Sequence, residues 1–316
     1  MPNQDLFKGI LLPAAIVLAI FFIALLLSPL GMVVGILAPA PLVVVSLQKG
    51  KQAGLIAAGL VVLAIMAAMG PQVAVFFFAE YAAMAFIMAE TLRRRLAFEK
   101  CVAFSALGSA ALTGFLLLLV FTGQEMPSGD FLEEQIKAQF RQSVEALNAM
   151  GRGLAGFDSA DAFIEKTSRL FAASYPAVVV IGSLFGALAN YSVARALTRR
   201  QPELAPYFSG SFSTWMLPEH FIWIFILSAG ALFLPEGTLQ VAGLNVFIIA
   251  AVIYCLQGMA IVVHFLDKKN VPFFLWIVVF IVIFAQPFLV GILMGLGLFE
   301  MWVDFRKLRI NPSEET

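Results

Sequence analysis

Charge is scarce in this chain. Asp, Glu, Lys and Arg make up 13% of its 316 residues, against about 25% in a soluble domain. The charges balance to zero, which excludes a global electrostatic pull toward nucleic acid. Cysteine and histidine are as rare, with two of each. Cys101 and Cys255 lie far apart at or in apolar segments, so they point to neither a disulfide framework nor a metal site. His220 and His264 fall short of the three protein ligands a catalytic zinc generally takes. There is no G-x-x-x-x-G-K-[ST] loop to cradle a nucleotide: the lone Gly50-Lys51 is followed by Gln52 and lacks the upstream loop. Neither H-E-x-x-H nor G-x-S-x-G occurs. No cofactor or metal is implied, and no enzymatic function is expected.

What the chain has instead is hydrocarbon. Residues 10–27 are 18 in a row without a charge, and residues 29–48 are 20. About 18 apolar residues suffice to cross a core of roughly 30 Å. Nine apolar segments follow one another: 10–27, 29–47, 53–69, 72–89, 101–122, 174–197, 217–234, 243–266 and 271–303. Ser28-Pro29, Gly70-Pro71 and Pro235-Glu236-Gly237 punctuate them. Lys8 before the first run gives it a superficial likeness to a signal peptide. With no small-x-small cleavage site after it, it reads as a retained first helix. The last run has 33 residues, about 50 Å as one helix, and Gln286-Pro287 near its middle predicts a break, giving either two short crossings or one kinked, tilted helix.

Loop charge gives an orientation, because cytoplasmic loops are enriched in Lys and Arg. With the N-terminus inside and a hairpin at Gln286-Pro287, 15 of the 20 cations fall inside. Among them are Lys8, Lys49, Lys51, Arg93, Arg94, Arg95, Lys100, Arg306, Lys307 and Arg309. The other five, Lys137, Arg141, Arg152, Lys166 and Arg169, share one long outside loop. The pattern predicts an all-α polytopic helical membrane protein of the bacterial inner membrane, with about 8–10 transmembrane helices and both termini cytoplasmic. Its parts are an N-terminal membrane bundle (1–122), an extracytoplasmic helical loop (123–173) and a C-terminal bundle (174–316).

In that loop Asp130 is placed as an N-cap, with Glu133 three residues on. Leu132, Ile136, Phe140, Val144 and Leu147 form one apolar stripe, and Gly151 reads as the stop. A second helix is expected over 161–173. The pair reads as a hairpin packed on the rim of the membrane domain, or as a lid over a cavity opening outward.

Polar groups inside the membrane carry the functional signal. Glu80 sits mid-segment in "QVAVFFFAEYAAMAFIMAE". A carboxylate there costs several kcal/mol unless it meets a cavity or a partner, or is protonated. It is either a binding, ion or proton group, or a hydrogen-bonded structural one. Tyr81 adjoins it. Asn190 and Tyr191 lie deep in the sixth segment, and Asn245, Tyr254 and Gln257 in the eighth. These satisfy one another between helices or line one polar pocket, and Asn190, Tyr191, Tyr254 and Gln257 are the candidate partners of Glu80. His264, on the Gln257 face, reads as interfacial. Pro218 and Glu219 suit the first turn of the seventh helix. Glu300, Asp304 and Arg306 suit a cytoplasmic exit helix. Small residues recur four apart at Ala15/Ala19, Gly31/Gly35, Gly50/Gly54, Gly182/Gly186 and Gly291/Gly295, a spacing that lets helix backbones approach closely.

"PLVVVSLQKGKQAGLIAAG" is similar to the second-to-third helix turn of the substrate-binding subunits of energy-coupling-factor (ECF) transporters. Those subunits capture vitamins or metal ions and dock on a shared ATPase module. Ala15 and Ala19 match the small-x-x-x-small pattern by which they contact their coupling protein. Over nearly its whole length the chain resembles the YybS-like family of bacterial membrane proteins, itself distantly similar to those subunits. "WMLPEHFIWIFIL" at 215–227, "YCLQGMAIVVHFLDKK" at 254–269 and "GLFEMWVDFRKL" at 297–308 carry that resemblance. The chain departs from the ECF subunits in its length, its more than six helices and its outside hairpin. The resemblance implies a small-molecule binding or transport subunit without its own ATPase, with the lipid bilayer, a small ligand and other membrane proteins as partners. The rival reading is a membrane scaffold or regulator. A transport subunit turns Glu80 and the Asn/Tyr/Gln group toward one cavity, whereas a scaffold spends them on separate helix contacts.

Overall fold

The structure is a computed structural model that describes residues 2–27, 30–122, 128–149 and 160–308. The described chain is all-α and polytopic, with one isolated bridge between Ala97 and Ser209. Its helices are α1 (Pro2–Leu26), α2 (Leu30–Gly35), α3 (Pro39–Lys49), α4 (Lys51–Met69), α5 (Pro71–Phe77), α6 (Ala83–Arg93), α7 (Phe98–Thr122), α8 (Ser128–Ala149), α9 (Ala160–Thr198), α10 (Phe221–Ala231), α11 (Thr238–Lys268), α12 (Phe273–Ala285) and α13 (Pro287–Val303). A π turn, Phe78–Ala82, joins α5 to α6 within one span.

Six helical stretches are long and apolar enough to cross a membrane, and a seventh follows if α12 and α13 count as one broken span. That is fewer than the nine apolar segments, for local reasons. Pro39 and Pro41 split the second segment into α2 and α3, with a turn over 36–38. The seventh segment holds only the 11-residue α10, which starts at Phe221, three residues past Pro218. Pro218 and Glu219 therefore precede the helix rather than open it. The ninth segment breaks at Gln286-Pro287 with a bend of 106°, because Gln286 is extended before the proline (φ −120°, ψ 106°).

The long loop departs from expectation in its second helix. Residues 161–173 are not a separate element but the start of α9, which runs unbroken for 39 residues, about 58 Å. A helix of that length overshoots the roughly 30 Å hydrocarbon core, and α8 packs along it. Leu132, Ile136, Phe140 and Val144 are half-buried along one stripe. Phe140 meets Phe171 edge-on at 5.9 Å, and Glu133 faces Lys137 at 2.8 Å and Arg169 at 3.9 Å. The helix begins at Ser128, so Asp130 lies in its first turn rather than capping it. The Ser28-Pro29 turn, the Gly151 stop and Arg309 lie outside the described residues.

One end of the bundle collects the cations. Gln48 bonds Gln201 at 3.0 Å, Lys51 approaches Glu90 at 3.9 Å, and Arg93 donates to the Ser46 carbonyl. Arg195 donates to Gly210 O at 2.8 Å, and Lys49 lies against Gly9 near the start of α1. Arg306 reaches the Ser213 and Trp215 carbonyls at 2.8 and 2.9 Å. Both ends of the described chain therefore lie at this basic end.

Glycines set the close helix contacts, but not all of those with four-residue spacing. A Cβ on Gly54 would strike the Ser46 side chain across the α3–α4 turn, where Gly50 takes φ +98°. A Cβ on Gly258 would meet the Leu293 carbonyl, and one on Gly297 the Tyr254 carbonyl. This reciprocal pair brings α11 and α13 into backbone contact. Gly182, Gly291 and Gly295 face open space, and Ala15 and Ala19 lie exposed on the outer side of α1.

Candidate functional site: a carboxylate on a π turn

Glu80 lies within the π turn Phe78–Ala82. A π turn widens the helix by one residue and recurs at functional sites. Here it swings the carboxylate between α7 and α9. Thr113 Oγ1 donates to Glu80 Oε2 at 2.9 Å, and Ser183 Oγ donates to Oε1 at 2.8 Å. Each oxygen thus has one neutral donor and keeps further acceptor capacity. A cavity of about 330 Å³ opens beside it, lined by Glu80, Tyr81, Thr113, Gly182, Phe21 and Val178 among others. That volume lies in the range of small-molecule sites, about 300–1,000 Å³. Tyr81 stacks on Phe77 at 5.3 Å, and Phe77 meets Phe21 of α1 edge-on at the same distance. The wall is apolar and aromatic with one carboxylate. Among the described residues of α8, none lines this cavity.

The other polar candidates do not converge on Glu80. Asn190 lies seven residues beyond Ser183, about 10 Å along α9. Its Nδ2 donates to Ile36 O and Gly186 O, both at 2.7 Å. The Ile36 carbonyl is an orphan that proline makes: Pro39 has no N–H, and Ala40 N donates to Leu37 O instead. Asn245 performs a parallel repair at Pro176, inside α9. Its Oδ1 accepts from Ala177 N at 2.8 Å, while its Nδ2 donates to Ala173 O at 2.7 Å. The side-chain amide thus meets one backbone N–H and one carbonyl flanking Pro176, where the helix lacks a donor. Tyr191 donates to Ser209 O at 3.2 Å. Tyr254 packs edge-on against Phe221 and Phe225 at 5.7 and 5.5 Å. Gln257 Oε1 and Asn190 Oδ1 are buried without a hydrogen-bond partner among the described residues.

Thr113 and Ser183, which hold Glu80, were not singled out from the sequence. A signal did exist on α7. Ser105, Ser109 and Thr113 recur every fourth residue, and the first two are fully buried, marking the helix face turned to the protein. Ser183 offered less: one small hydroxyl among many, seven residues from Asn190.

A family model described as predicted membrane protein (DUF2232) matches residues 15–301. The chain belongs to this family. The DUF2232 match spans every element that builds the Glu80 cavity, from Phe21 to Gly182. No curated protein and no solved structure matches the chain.

Proposed function

We propose that this DUF2232 protein is a small-molecule binding or transport subunit without an ATPase of its own, and that its ligand enters the cavity beside Glu80. The observation that carries this reading is the carboxylate itself. It sits on a π turn, held by two neutral hydroxyls and facing a cavity, with no cation in its hydrogen-bond shell among the described residues. A carboxylate kept at that depth without a counter-charge is costly. A positively charged or donor-rich ligand, or a proton, completes it. Under this proposal the basic end faces the cytoplasm of a bacterial inner membrane, both termini lie on that side, and the YybS-like and ECF likenesses point to the same class. No step is enzymatic.

The test is a thermal-shift screen of the purified protein against vitamins, metal ions and nucleobases, repeated with Glu80→Gln. A ligand that stabilises the wild type and leaves the folded Glu80→Gln variant unmoved supports the reading. A ligand that stabilises both equally removes Glu80 from the site. A second reading, a scaffold for partner membrane proteins, is favoured by Asn190, Asn245 and Tyr191, whose hydrogen bonds go to separate helix and loop contacts. It predicts that Glu80→Gln changes no ligand response at all.

A further inference from the structure

A second cavity, of about 450 Å³, shares no residue with the Glu80 cavity and lies toward the basic end. Its walls come from three membrane spans, the start of α10 and the loop before it: Phe104 and Leu107 of α7, Leu184 and Leu188 of α9, Ile253 of α11, Phe221 and Trp215. The lining is hydrocarbon apart from its rim, where Glu99 and Lys100 sit exposed at the start of α7. Lys100 makes no ion pair among the described residues. Between residues 90 and 100 the chain carries four cations against two acids, and between 195 and 210 three against one. Glu90 already engages Lys51 and Arg94. At the rim itself Glu99 and Lys100 balance, and the cationic surplus lies in the flanking segments at that end of the apolar slot.

We propose that this groove holds one acyl chain of an anionic phospholipid, with the lipid phosphate at Lys100. The two parts of the site match the two parts of that molecule. The slot between α7, α9 and α11 offers a chain the dispersion contacts of a packed interior. Lys100, outside every ion pair among the described residues, and the basic segments flanking the rim select the head, as basic pockets between transmembrane helices do. The groove also lies on the seam between the halves of the chain. Trp215 in its wall stacks on Phe212 at 6.2 Å and hands its carbonyl to Arg306 at 2.9 Å. A bound lipid is therefore an interhelical filler, and the fold gains stability with it by mass action.

The experiment uses the full chain in mild non-ionic detergent, titrated with phosphatidylglycerol or with phosphatidylcholine bearing the same acyl chains. Retained lipid is counted by native mass spectrometry, and the melting temperature is followed in parallel. One phosphatidylglycerol is expected to be retained, with a preference of about fivefold over phosphatidylcholine for a single basic contact. Lys100→Gln is expected to abolish the preference. Ala103→Trp fills the groove from an exposed lining position and is expected to abolish retention of both lipids. Leu107→Trp is a second filler should the first fail to fold. Equal retention of the two lipids by the wild type, a preference that survives Lys100→Gln, or retention that survives a folded filler variant each overturns the proposal.

Discussion

Glu80, in the N-terminal half, meets two neutral hydroxyls and an open cavity. Glu300, in the C-terminal half, is 1% exposed and fully engaged. Arg306 Nε donates to its Oε1 at 2.7 Å and the Phe305 N–H to its Oε2 at 3.1 Å. The Arg306 side chain is itself fully buried and spends its other nitrogens on Ser213 O and Trp215 O. Asp304 makes this possible by taking the left-handed conformation at the end of α13 (φ 45°, ψ 58°), which folds Arg306 back onto Glu300. Asp is among the few residues that visit that region without a heavy steric cost. The contrast is between an acid buried in the protein and one half-exposed beside a cavity. Where every acceptor is met by a matched donor, the carboxylate is a latch. Where the partners are neutral and a cavity lies alongside, it keeps unused acceptor capacity, which the proposed ligand would meet.

Substitutions can break or sharpen that contrast. The largest effect is expected at the latch. Arg306→Met leaves Glu300 buried without its cation and is expected to cost about 3–5 kcal/mol, read as the shift in an SDS-titrated unfolding midpoint in mixed micelles. Glu300→Leu combined with Arg306→Met is expected to recover much of that loss, because no charge is then stranded. Next is Gly258→Ala, which drives a methyl into the Leu293 carbonyl and is expected to cost about 1–3 kcal/mol by overpacking. Ala substituted at Gly291, which faces open space, is expected to be close to neutral in the same assay.

The proline repairs come third. Asn245→Leu strands Ala177 N and Ala173 O, while Asn190→Leu strands Ile36 O alone. A loss of about 1–2 kcal/mol is expected at Asn245 and less at Asn190, since interhelical hydrogen bonds in membranes contribute on that scale or below. Equal losses would undo the argument that Asn245 serves both a donor and an acceptor.

The smallest stability effect belongs to Glu80→Gln, expected to lie within about 0.5 kcal/mol of wild type because the amide keeps size and one acceptor. Glu80→Leu, which unpairs Thr113 and Ser183, is expected to cost about 1–3 kcal/mol. If Glu80→Gln destabilised the protein as severely as Arg306→Met, the distinction between latch and binding group would collapse.

Legibility followed the range of the interaction. The membrane class, the stripe of α8 and the break at Gln286-Pro287 could be read from the chain because each is set within a few turns of one helix. Glu80 could be singled out for the same reason, as an acid inside an apolar run is a local anomaly. Its partners could not. Thr113 lies 33 residues away and Ser183 103 residues away, and the sequence offered tyrosines and amides that looked more suitable. Arg306 was read with Glu300 and Asp304 as charges of a cytoplasmic exit helix and not as partner to Glu300, since nothing local says that the chain doubles back at Asp304.

The sequence by itself determined that this protein crosses a membrane repeatedly and that its cations gather where loops connect the spans. Hydrocarbon length and backbone hydrogen bonding leave a long apolar run no alternative to helix. Only the tertiary structure decided which polar groups meet. A helix turns about 100° per residue, so a small change in the rotation or crossing of two spans replaces one facing side chain with another. That rotation is fixed by contacts such as Gly258 on Leu293 and by the prolines that Asn190 and Asn245 repair. No single segment contains the information, because each of these contacts joins residues from two segments far apart in the chain.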